Sequence, residues 1–107
     1  MAGRVIQRGE IWMLDLGYGG KIRPALVVSI PFLDNERTLL TYVPRTTRVW
    51  GTRFEVLHTA RSFLPGAFDV QSISSAPSVS FLRKLATLDD ATLALVEEKL
   101  KLSLELK

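Results

Sequence analysis

Residues 24–30, Pro24-Ala25-Leu26-Val27-Val28-Ser29-Ile30, are the stretch that decides the fold. The run from Ala25 to Val28 places apolar side chains on both faces of the backbone, which is typical of a central strand buried on both sides. Proline donates no ladder hydrogen bond, so we expect Pro24 at the first position of this strand. Pro31 then ends the strand. The stretch predicts a sheet with residues 24–30 at its centre.

Short strand-forming segments, separated by turn residues, flank this central strand. Residues 10–16 follow Gly9 and end at Gly17-Tyr18-Gly19-Gly20, which we interpret as a tight hairpin connection. Further strands are predicted at residues 38–43, closed by Pro44, and at residues 54–57 and 67–73. Several short antiparallel strands with proline and glycine between them indicate a small SH3-like antiparallel barrel.

The end of the chain changes to a helical period. Asp89 or Asp90 is expected to cap this helix, because an Asp side chain accepts from the free amides of the first turn. One apolar face holds Leu93, Val96, Leu100 and Leu104. The opposite face holds Leu95, Leu102 and Leu106. One face is expected to pack on the sheet, and the other to meet a second copy of the chain in a twofold homodimer. The alternative is a helix deep in a groove of its own barrel.

Composition limits the class of protein. At 107 residues the chain has the length of one domain, and 47% hydrophobic with 23% charged residues is typical of a globular fold. The absence of cysteine excludes thiol chemistry and disulfide frameworks. No apolar stretch is long enough to span a bilayer, and no signal sequence is recognisable. We expect one α+β domain over residues 1–107, mainly β with a C-terminal helix, with a cytoplasmic location and no membrane contact.

Positive charge is concentrated in the first part of the chain. Residues 1–62 carry nine Arg or Lys against five acids, a net +4, whereas residues 63–107 carry five against six. Eight of the nine early bases are arginine, the side chain suited to bidentate contact with phosphate. The charge is equally compatible with a phosphate-binding face and with a solvated basic surface.

Several catalytic classes lack their residues in this sequence. His58 is the one histidine, no spaced carboxylates have metal-ligand geometry, and no serine elbow motif is present to complete a triad. We expect His58 on the surface after a strand. The glycine-rich turn at 17–20 has neither the following helix nor the Lys-Ser pair of a phosphate-binding loop. We therefore predict neither a metal nor a cofactor.

Two polar segments lie where the predicted strands begin and end. They are Lys21-Ile22-Arg23-Pro24 and Val43-Pro44-Arg45-Thr46-Thr47-Arg48. Strand ends project polar groups while the barrel fixes their positions. The two Thr hydroxyls between Arg45 and Arg48, with Arg23 from another strand, form a candidate phosphodiester site, one among several.

These segments carry a family resemblance. Over about residues 7–105 the chain resembles the MazF/PemK family of toxin ribonucleases. The resemblance rests on the order and spacing of Arg8-Gly9-Glu10-Ile11-Trp12, residues 23–29, Val43-Pro44-Arg45-Thr46-Thr47, Phe54-Glu55-Val56 and Arg83-Lys84-Leu85. It implies an SH3-like barrel, a homodimer and cleavage of single-stranded RNA at short sequences without metal. It also implies a cognate antitoxin whose acidic, largely disordered tail lies across the dimer.

The family's two catalytic positions are the arginine of its Arg-Pro motif and the first threonine after its Val-Pro-x pattern, which match Arg23 and Thr46. RNA supplies its own nucleophile, the 2′-hydroxyl, so the enzyme orients it and stabilises a dianionic phosphorane. A guanidinium stays protonated at neutral pH, so Arg23 is expected to stabilise charge and to donate to the leaving 5′ oxygen. Thr46 is expected to donate to a phosphate oxygen. The products that the family implies are a 2′,3′-cyclic phosphate and a 5′-hydroxyl.

Single-stranded RNA also needs stacking surfaces and charges along its backbone. The candidates for these contacts are Lys21, Arg45, Thr47, Arg48, Trp50 and Arg53. Trp50 is a candidate for base stacking or for a packed loop anchor, and Trp12 is expected in the core. Gln71 resembles a recurrent family glutamine, with a structural hydrogen bond as its expected role. Many members have a longer first loop containing a Gly-Ser-Glu stretch, which this chain lacks.

Two other functions remain open at this point. One is a protein-targeting poison on the same fold, like the gyrase-directed CcdB relatives, which act through a C-terminal helix. The exposed stripe of Leu95, Leu102 and Leu106 would serve such a partner or the antitoxin. The other is an RNA-binding module without catalysis, which the shortened first loop motivates.

Overall fold

Seven antiparallel strands and a C-terminal helix form the part of the chain that this computed structural model describes, residues 5–17 and 21–107. The strands are β1 (Glu10–Asp15), β2 (Ile22–Val27), β3 (Leu39–Thr46), β4 (Glu55–His58), β5 (Gly66–Asp69), β6 (Ser74–Pro77) and β7 (Phe81–Thr87). The helix is α1 (Asp90–Leu104), and 3₁₀ turns follow β5 and β6. The predicted α+β class is confirmed, as a sheet that curls like a barrel without closing. Residues 18–20 of the predicted glycine-rich turn lie outside the described residues.

The central position predicted for residues 24–30 is confirmed for the first half of that stretch. The strands are ordered β4-β5-β3-β2-β1-β7, with β6 pairing the start of β3. Ala25, Leu26 and Val27 are almost fully buried, because β1 and β3 flank them and the core covers both faces. The strand ends at Val27, and Ile30 is 74% exposed.

Two prolines lie inside strands, which corrects the expectation that Pro24 begins β2 and Pro44 ends β3. The amide of Val28 donates to Thr41 of β3, so by alternation the nitrogen of Pro24 also points toward β3. There the ladder between the strands begins only at Ala25, opposite Pro44. Pro44 lies in the gap where β3 changes partner from β6 to β5. Neither position requires the hydrogen bond that proline cannot donate.

The core lies on both faces of the central strands, because successive side chains in a strand point to opposite sides. One cluster includes Trp12, Leu14, Ala25, Val27, Tyr42 and Phe81. The other includes Ile11, Leu26, Val43, Val56, Phe68 and Val96. The prediction that Trp12 belongs to the core is confirmed, and its indole nitrogen donates to the Glu10 carboxylate at 3.0 Å.

The second half of the sheet departs from the predictions. The strand expected over residues 67–73 ends at Asp69, and the chain continues as a 3₁₀ turn over Val70–Ser72. β6 and β7 were not predicted as strands. Only Ala76 of β6 and Phe81 of β7 are buried, so neither segment shows the apolar alternation that marks a strand in a sequence.

The helix begins at Asp90, with Asp89 as its N-cap. The Asp89 carboxylate accepts from the Thr92 amide at 2.9 Å and from the Thr92 hydroxyl at 2.8 Å. The first apolar face is confirmed at Val96, which is fully buried, and at the half-buried Leu93 and Leu100.

The far end of the helix is exposed. Leu104 is 50% exposed, so its expected place on the packed face is wrong: the helix runs past the sheet there. On the second predicted face, Leu95 and Leu102 are 49% and 51% exposed, which excludes a helix buried in the groove of its own barrel. Leu106 was expected on the same face, but it lies beyond the C-cap Glu105, outside α1, and is 60% exposed. No helix in the described ranges is long and apolar enough to cross a membrane.

Candidate active site

Arg23 and Thr46 line one cleft, at the point where β2 begins and β3 ends. This strand cleft has a volume of about 340 Å³, and its lining includes Lys21, Arg23, Ala25, Tyr42, Pro44, Arg45, Thr46, Asp69 and Ser72. The last pair of the β2–β3 ladder sets Ala25 opposite Pro44. The same register continued by two residues sets Arg23 opposite Thr46, on the same face of the sheet. The structure thus brings together the two residues that the family resemblance selects.

The Thr46 hydroxyl is oriented by the backbone that follows it. Its oxygen accepts from the amide of Arg48 at 3.0 Å. A hydroxyl has one proton to donate and two lone pairs, so this bond leaves its proton available. Thr46 is only half-buried at the end of β3. It can therefore donate to an anion in the cleft without leaving its own acceptor unpaired.

A second cleft adjoins the first. This loop cleft has a volume of about 390 Å³ and is lined by Thr46, Arg48, Trp50, Thr52, Glu55, Asp69, Gln71 and Ser72. Three residues, Thr46, Asp69 and Ser72, line both clefts. The Ser72 hydroxyl donates to Asp69 at 2.6 Å, which fixes the 3₁₀ turn that separates the two. A chain bound at Thr46 can therefore extend from one cleft into the other.

The Glu55 carboxylate holds the loop that forms one wall of the loop cleft. It accepts from the amides of Trp50 at 3.0 Å, Gly51 at 2.6 Å and Thr52 at 2.9 Å. These bonds, led by the one from Trp50, lower the pKa of the Glu55 carboxyl and keep it charged. Gly51 has φ +77°, in the region that favours glycine.

Arg45 does not lie on the surface as a candidate phosphate ligand; it is 4% exposed. Its Nε donates to Nδ1 of His58 at 2.8 Å, and one terminal nitrogen donates to the carbonyls of His58 at 2.8 Å and Leu64 at 2.6 Å. The guanidinium also lies 4.9 Å from the centre of the Phe63 ring. The expected direct RNA contact by Arg45 is therefore replaced by a structural role: it ties the backbone of β3 to the loop after β4.

His58 is likewise buried rather than on the surface, at 8% exposed. Burial and the charge of Arg45 lower its pKa, against a smaller opposing effect of Asp89. Because Nδ1 accepts from Arg45, the ring is neutral in the folded protein. Burial also lowers the pKa of Arg45, but an arginine keeps its charge at any physiological pH.

Gly66, at the start of β5, lets the chain pass close behind Thr46. A Cβ atom at this position would lie 2.3 Å from the Thr46 carbonyl oxygen and 3.0 Å from Nη1 of Arg45. The 2.3 Å separation is far shorter than van der Waals contact, and the Thr46 carbonyl oxygen belongs to the backbone, so it cannot move aside as the end of a flexible side chain could. The backbone of Thr46 thus packs directly against the backbone of Gly66, and the Arg45 side chain lies beside both.

The remaining predicted RNA contacts are divided between different surfaces. Lys21 joins Arg23 in the strand cleft, and Arg48 and Trp50 line the loop cleft. Thr47 lies with Arg61 and Arg83 in a third cleft of about 580 Å³. Arg53 stacks 4.6 Å above its neighbour Phe54 and is absent from the linings of these clefts.

Sequence reasoning missed Asp69, Ser72 and the role of Glu55. The predicted strand over 67–73 hid the Asp69–Ser72 pair, although an acid and a hydroxyl three residues apart are a signal of a local turn. Within residues 5–17 and 21–107, no group of three or more His, Asp or Glu side chains is placed to hold a metal ion.

Comparison with known proteins supplies the family. The model of PemK-like, MazF-like toxins of type II toxin–antitoxin systems matches residues 7–104. The comparison with curated proteins gave no match.

Among solved structures, MazF of Deinococcus radiodurans is 27% identical, with a TM-score of 0.83, covering 97% of this chain and 100% of its own. A MazE–MazF complex of the same organism is 29% identical, with a TM-score of 0.84, covering 98% and 100%. A mycobacterial endoribonuclease in complex with its cognate antitoxin shares the fold at 23% identity and a TM-score of 0.80, covering 98% of each chain. The match across residues 7–104 shows that this chain belongs to the PemK-like, MazF-like family of toxins of type II toxin–antitoxin systems.

Proposed function

We propose that this toxin cleaves single-stranded RNA at short sequences, without a metal ion, through attack by the RNA's own 2′-hydroxyl. The observation that carries the proposal is the placement of Arg23 and Thr46 in one cleft, each two residues beyond the Ala25–Pro44 pair that ends the β2–β3 ladder. A cation and a hydroxyl donor on neighbouring strands form a preorganised site for a phosphate that gains negative charge.

Each of the two residues has a defined role in this reaction. The 2′ oxygen forms a bond to phosphorus, the bond to the 5′ oxygen breaks, and the 2′ proton passes to solvent. Arg23 stabilises the dianionic phosphorane and, in this proposal, supplies the proton that the 5′ oxygen takes up, later regaining it from water. Thr46 donates to a non-bridging oxygen. The products are a 2′,3′-cyclic phosphate and a 5′-hydroxyl.

The contacts to the rest of the RNA follow from the linings of the clefts. Lys21 adds charge to the strand cleft, and Arg48 and Trp50 continue the surface into the loop cleft. Thr47 and Arg53 lie away from both clefts, so we assign them peripheral contacts at most. Arg45 is assigned no contact with RNA; its role is to hold the segment of β3 that carries Thr46.

The proposed assembly is a cytoplasmic homodimer neutralised by a cognate antitoxin with an acidic, disordered tail. Two of the similar structures are described as complexes, one of MazE with MazF and one of an endoribonuclease with its cognate antitoxin. In this chain the exposed face of α1 with Leu95 and Leu102, together with Leu106 just beyond the helix, is the apolar surface offered for the dimer or the antitoxin. Sedimentation of the toxin alone distinguishes these uses, since a dimer seam needs no antitoxin.

The test is incubation of a long single-stranded RNA with the purified protein in excess EDTA, followed by mapping of the fragment ends. We expect discrete cuts with 5′-hydroxyl ends, and a loss of at least about 10²-fold in rate for Arg23→Ala. Arg37→Ala removes another exposed arginine, from the segment before β3 and outside both clefts, and should cleave normally. Wild-type cleavage by Arg23→Ala would refute the site assignment.

One observation favours a second candidate function. The exposed leucines of α1 would also suit a protein target, as in the gyrase-directed poisons of the same fold. Intact RNA together with gyrase co-purification would support this function. RNA binding without cleavage by the wild-type protein would instead indicate a catalytically inactive module.

A further inference from the structure

Trp50 is the more exposed of the two tryptophans in the described chain and lines a cleft together with mostly polar residues. Its exposed fraction is 77%, against 6% for the core residue Trp12. It lines the loop cleft, whose volume of about 390 Å³ falls within the range of small-ligand pockets. Exposure of an apolar indole ring to water is energetically unfavourable, so an exposed tryptophan that lines a cleft is typical of a binding surface.

The backbone that carries Trp50 is fixed rather than merely exposed. Three consecutive amides, from Trp50 to Thr52, donate to the single carboxylate of Glu55. The positive φ of Gly51 makes this turn around the carboxylate sterically accessible. A ligand that stacks on the indole therefore meets a backbone already in place, and less ordering entropy is lost on binding.

The loop cleft also offers the side-chain amide of Gln71. The side chain of Gln71 lines the cleft, is exposed and makes no hydrogen bond to any residue in the described ranges. A carboxamide has both donors and an acceptor, which match the hydrogen-bonding edge of a nucleobase. The structural hydrogen bond expected for Gln71 from the sequence is therefore not observed.

We propose that the loop cleft binds one unpaired nucleobase of the substrate, stacked on Trp50 and read at its edge by Gln71. The inference rests on the proposed ribonuclease function. Because Thr46 lines both clefts, a phosphate held there places its neighbouring base in the loop cleft, and Arg48 lies beside the connecting backbone. Trp50 and Gln71 thus determine which base is accepted next to the cut.

The charges of the lining favour a base over an acidic peptide. Glu55 and Asp69 both line the loop cleft, and the pKa of Glu55 is lowered, so the carboxylate stays charged. An acidic tail would be repelled by these groups, whereas a neutral base that donates N–H groups is compatible with them. The loop cleft is accordingly assigned to RNA and not to an antitoxin tail.

The first test uses fluorescence and needs no cleavage. A pool of single-stranded 2′-O-methyl RNA, which lacks the attacking hydroxyl, is titrated into the wild-type protein. We expect quenching of the exposed tryptophan emission and protection of Trp50 from acrylamide. Trp50→Phe should lose this signal but still bind, because phenylalanine also stacks. Saturable binding with unchanged tryptophan accessibility, or no binding at all, would overturn the proposal.

The second test maps the cut sites. Trp50→Ala is expected to raise KM by roughly 5- to 150-fold with little change in kcat, and Trp50→Phe to recover most of that loss. Gln71→Leu is expected to relax the base preference at one position beside the cut and at no other. A uniform loss at every site, or unchanged sites and KM, would refute the base pocket while the Arg23→Ala result still decides the ribonuclease function.

Discussion

The buried pair of Arg45 and His58 makes the stability of this protein depend on pH. Nδ1 of His58 accepts a 2.8 Å hydrogen bond from a permanently charged guanidinium, so a proton on Nδ1 would remove that bond and set two cations in contact. Burial, followed by the charge of Arg45, lowers the pKa of His58 from its ordinary value of 6.5, and Asp89 only partly opposes this. The unfolded chain has no such contacts and takes up the proton near pH 6.5.

The sign and the size of the effect follow from this difference. Below about pH 6.5 the unfolded chain binds one more proton than the folded chain, so the free energy of unfolding falls as the pH is lowered. The slope approaches about 1.4 kcal/mol per pH unit and persists down to the pKa of His58 in the folded state. The loss at pH 5 has a ceiling of about 2 kcal/mol, set by the roughly 1.5 pH units below the unfolded-state pKa, which is a large part of the net stability of a small domain.

Urea denaturation at several pH values between 7.0 and 5.0, at one fixed protein concentration, measures this loss. The midpoint should fall as the pH is lowered, by up to about 1 M urea over the range, since the slope for a small domain is about 1–3 kcal/mol per molar. The lowered pKa values of Glu10, Glu55 and Asp89 keep these carboxyls ionised throughout the range.

The matched control is His58→Asn, whose side-chain oxygen can take the place of Nδ1 as the acceptor for Arg45 but cannot be protonated. Its midpoint should be lower at pH 7, where an imidazole ring packed 4.9 Å from the Phe68 ring is lost, and nearly constant down to pH 5. Equal slopes in the two proteins would refute the reasoning, as would a wild-type midpoint that does not change.

Three further predictions concern the support of the site, the helix and the assembly. Gly66→Ala should lower the free energy of unfolding by about 3 kcal/mol in urea denaturation, because its Cβ would lie 2.3 Å from the Thr46 carbonyl oxygen; a loss below about 1 kcal/mol would contradict this packing. Asp89→Ala should cost about 1 kcal/mol by removing the bonds to Thr92, and Asp89→Asn, which keeps the acceptor, should recover most of it in the same assay. Leu102→Glu should convert the proposed dimer to monomer in sedimentation at micromolar concentration; an unchanged dimer would assign this face to another partner.

The sequence predicted the parts of the fold that local pattern determines. The buried run at Ala25–Val27 and the Asp89 cap were recognisable, because burial on two faces and capping leave signals within a few residues. The start of β2 and the end of β3 were wrong because Pro24 and Pro44 lie inside strands. Whether a proline is tolerated depends on which neighbour the strand has at that position, and pairing between distant segments leaves no local pattern.

In the candidate site, too, local sequence pattern identified the residues, but the pairing of distant strands decides what each residue does. Arg45 and Thr46 are adjacent in one polar segment, and sequence reasoning assigned both to RNA. In a strand, adjacent side chains point to opposite faces, so Arg45, although it also lines the strand cleft, directs its guanidinium to the face away from the Thr46 side chain. There it meets His58 and becomes the buried support of β3. A shift of the strand by one residue would exchange these roles, so the chemistry of Arg45 follows from the register of β3 and not from its residue type.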